Sequence, residues 1–380
     1  MFVKISKYLV LTLFAGSLAI SNSSPAQARS IAAPIVPQRQ VDLVIALDVS
    51  GSMSGLIDSA KQRLWDIVNE LGQARPTPVL RVSIVSFGNP EYGQQNGFVK
   101  IDQPFTRNLD AVNATLFAFA TNGGDEYVAR AIDTSLRKLQ WSTQRDALRI
   151  IFVAGNESAS QDPQISLQQV TRQARQMGVV VNSIYCGNAD DTVAPGWQEL
   201  AQLADGMYAS IDQNAATVAN IETPMDARLL VLNQALNKTY VAFGARGRES
   251  AKNQQVQDRN AAKMSAPAAV SRAVTKGSAM YDNSDWDLVD ALKSGLRLEQ
   301  VKEEDLSAEM QAMAAGERRE FVQQQSEERA QLKREIAELA DQRRDHIAEQ
   351  QAGKNDSEPG LDAAIQAGLR KVAEAKGFDF

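Results

Sequence analysis

The chain has one cysteine, Cys186, and one histidine, His346. No internal disulfide can form, although an oxidising compartment would permit one. A Ser-His-Asp or Cys-His catalytic site would have to recruit His346, which lies far in sequence from both Ser50 and Cys186. Basic residues are also in deficit, 40 against 46 acidic ones, and a net charge of −6 argues against non-specific nucleic-acid binding, which needs basic stripes. No run of apolar residues is long enough to cross a bilayer comfortably. The N-terminal one, YLVLTLFAGSLAI, follows Lys4 and Lys7 and precedes Ala26-Gln27-Ala28. A charged start, a short apolar middle and small residues two apart describe a secretory signal peptide over residues 1–28, with an uncleaved anchor as the alternative. Its removal takes away two lysines and no acid, so the mature chain is more acidic still. The expectation is an exported bacterial protein, periplasmic or secreted, with no transmembrane span in the mature chain.

What is present is a sizeable supply of core residues: 44% of the 380 are hydrophobic, enough for more than one structural unit. After a Pro- and Ala-rich linker over residues 29–40, a strand–helix rhythm begins. VDLVIALD is a continuous apolar strand of the kind buried on both faces of a parallel sheet. Leu56, Ile57, Ala60, Leu64, Ile67, Val68 and Leu71 then recur at helical spacing, predicting an amphipathic helix over about 54–72. Strands follow at VLRVSIVSFG, at GFVKIDQPF on an edge, and at 148–155 and 179–187, with helices near 107–119, 125–139 and 164–177. Such alternation gives right-handed crossovers, so residues 41–221 are expected to form a doubly wound α/β domain with a mostly parallel sheet. Ligands bind such sheets beyond the carboxyl ends of the strands, where strand order reverses.

The first strand ends there in Asp48-Val49-Ser50-Gly51-Ser52. A carboxylate and two hydroxyls are hard oxygen ligands that suit Mg²⁺ or Mn²⁺ better than zinc, and spacing of two points them to one side while the chain is extended. The same serines, or Ser54, could instead cap the following helix, and the residues alone leave both readings open. The stretch resembles the metal-ion-dependent adhesion site of von Willebrand factor type A domains, in the branch exported by bacteria. The resemblance covers residues 41–221 and implies a Rossmann-like fold, a second-loop ligand and a third-loop aspartate. Thr121-Asn122-Gly123-Gly124-Asp125-Glu126 matches the second loop, which gives Asp125 the second-loop role by resemblance; a helix N-cap is its other reading. The third loop departs from the pattern, because Val153-Ala154-Gly155 stands where Thr-Asp-Gly is usual. Glu157 is the acid left to approach an ion through water. The implied metal residues are therefore Asp48, Ser50, Ser52 and Asp125, binding Mg²⁺ or Mn²⁺ weakly for want of the third carboxylate.

The second half carries less chemistry. Leu229, Leu232 and Leu236 mark a helix within 222–244, expected to fold back on the α/β domain. Residues 245–278 are polar and read as a flexible connector. In 279–300 a short helix capped by Ser284 would bury Trp286, Val289 and Leu292; DNSDWD lacks the glycine and closing glutamate of an EF-hand. Residues 301–352 read as a long charged helix with Leu332, Ile336 and Leu339 at seam spacing, and 353–380 as a C-terminal helix. The seam either packs on a neighbouring element or serves partner binding and self-association. The expected function is non-enzymatic: a metal ion bridging to an acidic residue of a protein partner. An envelope-associated interaction protein acting through its helical C-terminal region, and a metal-assisted hydrolase, are the alternatives.

Overall fold

The computed structural model describes residues 39–211, 221–351 and 361–379. The expected signal peptide (1–28) and all of the expected linker (29–40) except its last two residues lie outside the described residues.

β1 (Gln40–Asp48), flanked by β2 (Val79–Phe87) and β4 (Leu148–Gly155), is the centre of a six-stranded sheet. The order β3-β2-β1-β4-β5-β6 places β3 (Val99–Thr106) on one edge and β5 (Val179–Tyr185) with β6 (Tyr208–Ser210) on the other side. Only β3 runs antiparallel; all other pairs are parallel. The chain winds outward from β1 to β3 and then returns to β4 on the opposite side of β1, so the order reverses between β1 and β4.

The period of two along β1 divides the core into two layers. Leu43, Ile45 and Leu47 face a layer built with α1 (Ser54–Gln73) and α2 (Leu109–Phe117). Val44 and Ala46 face the other layer, with α3 (Val128–Lys138), α4 (Leu167–Gln176) and α5 (Ala194–Leu203). Being apolar on both faces is what makes VDLVIALD a central strand, and each of its valine, leucine and isoleucine side chains contributes about 1.5–3 kcal/mol on burial.

After β6 the chain builds a helical lobe: α6 (Asp226–Asn237), α7 (Gly247–Met264), α8 (Ala266–Gly277), α9 (Leu288–Lys293), α10 (Ala308–Gln311) and α11 (Ala315–Gln351). The last helix, α12 (Leu361–Glu374), returns to the sheet. Residues 245–278 are thus not a flexible connector but two packed helices. Their polarity misled because Arg272 and Lys276 are fully buried and paired rather than solvated. The leucines of α6 pack on Val270 and Ile336, against α8 and α11, and not on the sheet. Asp287, rather than Ser284, caps α9, accepting from the Asp290 amide at 2.9 Å. The long charged helix starts at Ala315, because 301–314 are taken up by short turns and α10. Its seam residues Leu332, Ile336 and Leu339 are covered by α6 and α8 within the chain.

No helix among the described residues is long and apolar enough to cross a membrane.

Candidate metal centre

The carboxyl ends of β1 and β4 flank the reversal of strand order, and Asp48 and Gly155 stand on either side of it. Three loops meet here. Asp48 is wholly buried and Ser50 is 3% exposed. Asp48 Oδ1 accepts from the Ser50 amide at 2.8 Å, which folds the loop tightly after the strand. Asp48 Oδ2 and Ser50 Oγ are buried and have no hydrogen-bond partner. Leaving such atoms unpaired costs about 1–3 kcal/mol each, more for a charged group. Two orphans two residues apart at one strand end indicate a place built for something else.

The helix-capping alternative does not account for them. The N-cap of α1 is Met53, with no side-chain capping bond, and the N-cap of α3 is Tyr127, also without one. Neither the serines nor Asp125 is used as a cap.

Burial pushes the Asp48 carboxyl from its ordinary 3.8 up to about 7; hydrogen bonding around Ser50 opposes this, and Glu126 and Glu157 add to it. Burial and Glu157 likewise raise Glu126. Gly88, at φ +84°, shows how close the groups are: a Cβ there would stand 2.8 Å from Asp48 Oδ1, 3.1 Å from Glu126 Cγ and 3.5 Å from Ser50 Cβ. Only glycine suits that backbone and that space.

Of the residues expected from sequence, Asp48 and Ser50 come together at the centre. Ser52 is exposed and accepts from Asn156 Nδ2 at 3.0 Å, linking the first and third loops. Asp125 is exposed and accepts from the Tyr127 hydroxyl at 3.3 Å, while its neighbour Glu126 is turned towards Asp48 and Ser50. Ala154 is buried in the core and offers no ligand. Glu157 is exposed, and its carbonyl accepts from Trp197 Nε1 at 2.8 Å. Glu126 and Asn156, which the sequence reading did not single out, also reach these loops. No signal in the sequence marks either, because their orientation is set by how the second and third loops dock on the first. Among the described residues no three His, Cys, Asp or Glu side chains form a metal-holding group. The donors here are mixed carboxylate, hydroxyl and amide oxygens, a hard set that fits Mg²⁺ or Mn²⁺. Cys186 is buried, and burial pushes its thiol well up.

The fold and the loop cluster define a doubly wound α/β domain with an oxygen-lined site at its switch point. Residues 42–223 match the von Willebrand factor type A domain, and the chain carries a domain of that family there. Domains of this family are generally interaction modules. No curated protein matches the chain. Among solved structures, proximal thread matrix protein 1 from the mussel byssus, with a zinc-occupied MIDAS motif, is 11% identical with a TM-score of 0.38; the match covers 47% of this chain and 43% of that one. The SpRpn10 VWA domain is 13% identical with a TM-score of 0.36, over 45% of this chain and 88% of that one. The pilus adhesin SpaC from Lactobacillus rhamnosus GG is 14% identical with a TM-score of 0.35, over 46% of this chain and 28% of that one. This chain thus spans less than half of the mussel protein.

Proposed function

We propose that the chain is an exported binding protein without catalytic activity, whose α/β domain captures a protein partner through a divalent cation. Asp48, Ser50 and Ser52 would hold Mg²⁺ or Mn²⁺ together with a carboxylate of the second loop, Asp125 on the sequence reading. When bound, the ion supplies an open coordination position that neutralises an acidic side chain of the partner, which would otherwise be costly to bury. With Ala154 in the third loop, the site binds its ion weakly.

One observation carries this reading: Asp48 Oδ2 and Ser50 Oγ, two residues apart at the end of β1, are both buried and unpaired at the switch point. The chain's own residues orient the site. The Ser50 amide fixes Asp48 Oδ1, and Asn156 holds Ser52. Pull-down from a periplasmic extract in magnesium tests the reading. The wild-type chain, recovered with Arg29 at its N-terminus, is expected to retain a partner that chelator releases. Ser50→Ala with Ser52→Ala is expected to lose that partner while keeping the wild-type circular dichroism. Capture that survives both chelator and the double substitution would remove the site from consideration.

A further inference from the structure

We propose that Glu126, not Asp125, is the second-loop carboxylate of the cation site, and that Asn156 supplies the third-loop oxygen that Ala154 does not. The assignment deepens the metal reading above and rests on it.

Contacts at three residues set the phase of the second loop. The Asn122 amide donates to the Val49 carbonyl at 3.0 Å, tying the loop's start to the end of the first strand. Gly124 is pressed on the loop after β2: a Cβ on it would stand 2.7 Å from the Gly88 carbonyl oxygen. The Glu126 amide faces Gln161 Oε1 at 3.4 Å, and its carbonyl accepts from the Val128 amide at 3.1 Å as α3 begins. Between these pins Asp125 is left exposed and Glu126 half-buried. Asp125 therefore turns to solvent and Tyr127, while Glu126 turns inward, its Cγ sharing the space over Gly88 with Asp48 Oδ1 and Ser50 Cβ.

The third loop shows the complementary feature. Asn156 uses its Nδ2 on Ser52 at 3.0 Å, which leaves Asn156 Oδ1 buried without a hydrogen-bond partner. Asp48 Oδ2, Ser50 Oγ and Asn156 Oδ1 are thus three unpaired buried oxygens from two loops. Glu126 adds the charge they lack: with Asp48 it balances a divalent cation, which the solvent-facing Asp125 does less well through a screening medium.

A purely structural Glu126, packed over Gly88 beside Ser50 and holding no ion, would be replaceable by glutamine at no cost to metal binding. Mn²⁺ affinity of the full mature chain, read from the electron paramagnetic resonance of the free ion, separates the two. Glu126→Gln is expected to weaken Mn²⁺ binding by about tenfold or more. Asp125→Asn, at an exposed position, is expected to stay within about twofold of wild type. Asn156→Ala should show a smaller loss than Glu126→Gln. Glu126→Asp keeps the charge one methylene shorter, so it should bind more tightly than Glu126→Gln; melting curves in chelator check that each variant is folded. Wild-type binding with Glu126→Gln unchanged, or with Asp125→Asn as damaging as Glu126→Gln, would overturn this assignment alone. No Mn²⁺ binding by the wild type would overturn the metal reading and this assignment with it.

Discussion

A single carboxyl group makes the site sensitive to pH. Asp48 sits at about 7 in the folded chain against an ordinary 3.8, because burial and two neighbouring acids disfavour its charge. Between those values the unfolded chain has released a proton that the folded chain retains, so the metal-free protein loses stability as pH rises from 3.8 towards 7. A cation favours the ionised form and reverses the trend, and protons compete with it below about 7. Melting curves with Mn²⁺ and with chelator across pH 5–8 should therefore diverge most at pH 8 and converge near pH 5. A metal-dependent gain that grows on acidification would contradict this account of Asp48. At this scale the sequence was half legible. That Asp48 and Ser50 lie together at the end of the first strand follows from a strand ending in alternating oxygens. The outward turn of Asp125 and the inward turn of Glu126 could not be read, because they depend on how Asn122 and Gly124 dock against neighbouring loops.

Strands and helices of the α/β domain were legible because their apolar residues keep a period of two or of 3.6 and each element buries its own stripe. Helices α7 and α8 were not, because their polar residues answer to partners distant in sequence. Arg272 on α8 reaches Asp110 on α2 at 2.7 Å and Asp258 on α7 at 2.5 Å, and its guanidinium lies 4.7 Å from the Trp65 ring centroid. Asp110 also accepts from the Tyr281 hydroxyl at 2.6 Å. Burial alone would raise Asp258, yet Arg272 and Lys276 outweigh it and hold the carboxyl at about 2. Composition cannot distinguish such an internally neutralised cluster from a solvated linker. Arg272→Ala would leave Asp110 without its cation in the core, and the expected loss is about 3–5 kcal/mol in denaturant unfolding. A loss below about 1 kcal/mol, the range of an exposed pair, would show the cluster to be solvated.

At the scale of the molecule, the last helix belongs to the first domain. Ile365, Leu369, Val372 and Ala373 of α12 join the core layer of Leu43, Ile45 and Leu47, and α12 contacts α1, β4 and β5. Gly368 permits the approach, since a Cβ there would stand 3.0 Å from the Phe152 ring. The segment after α12 is fastened as well: Arg39 donates to the carbonyls of Lys376 and Gly377 at 2.8 and 2.9 Å, and Arg75 pairs with Asp379 in an isolated antiparallel bridge. The helical lobe is therefore an excursion between β6 and the helix that completes the sheet's cover, and residues 42–223 alone leave that layer open. Nothing local in 353–380 announces this, because docking is a property of the surface it meets. Removing residues 300–380 to test the lobe would strip the α/β core along with it, so a point substitution is the sharper probe. Leu369 is fully buried. Leu369→Ala should cost about 2–5 kcal/mol. The loss should appear in one cooperative transition that also unfolds β1, read by amide exchange at Leu43 and Ile45. If those amides keep their protection while α12 melts separately, the helix is an appendage and the α/β domain closes without it.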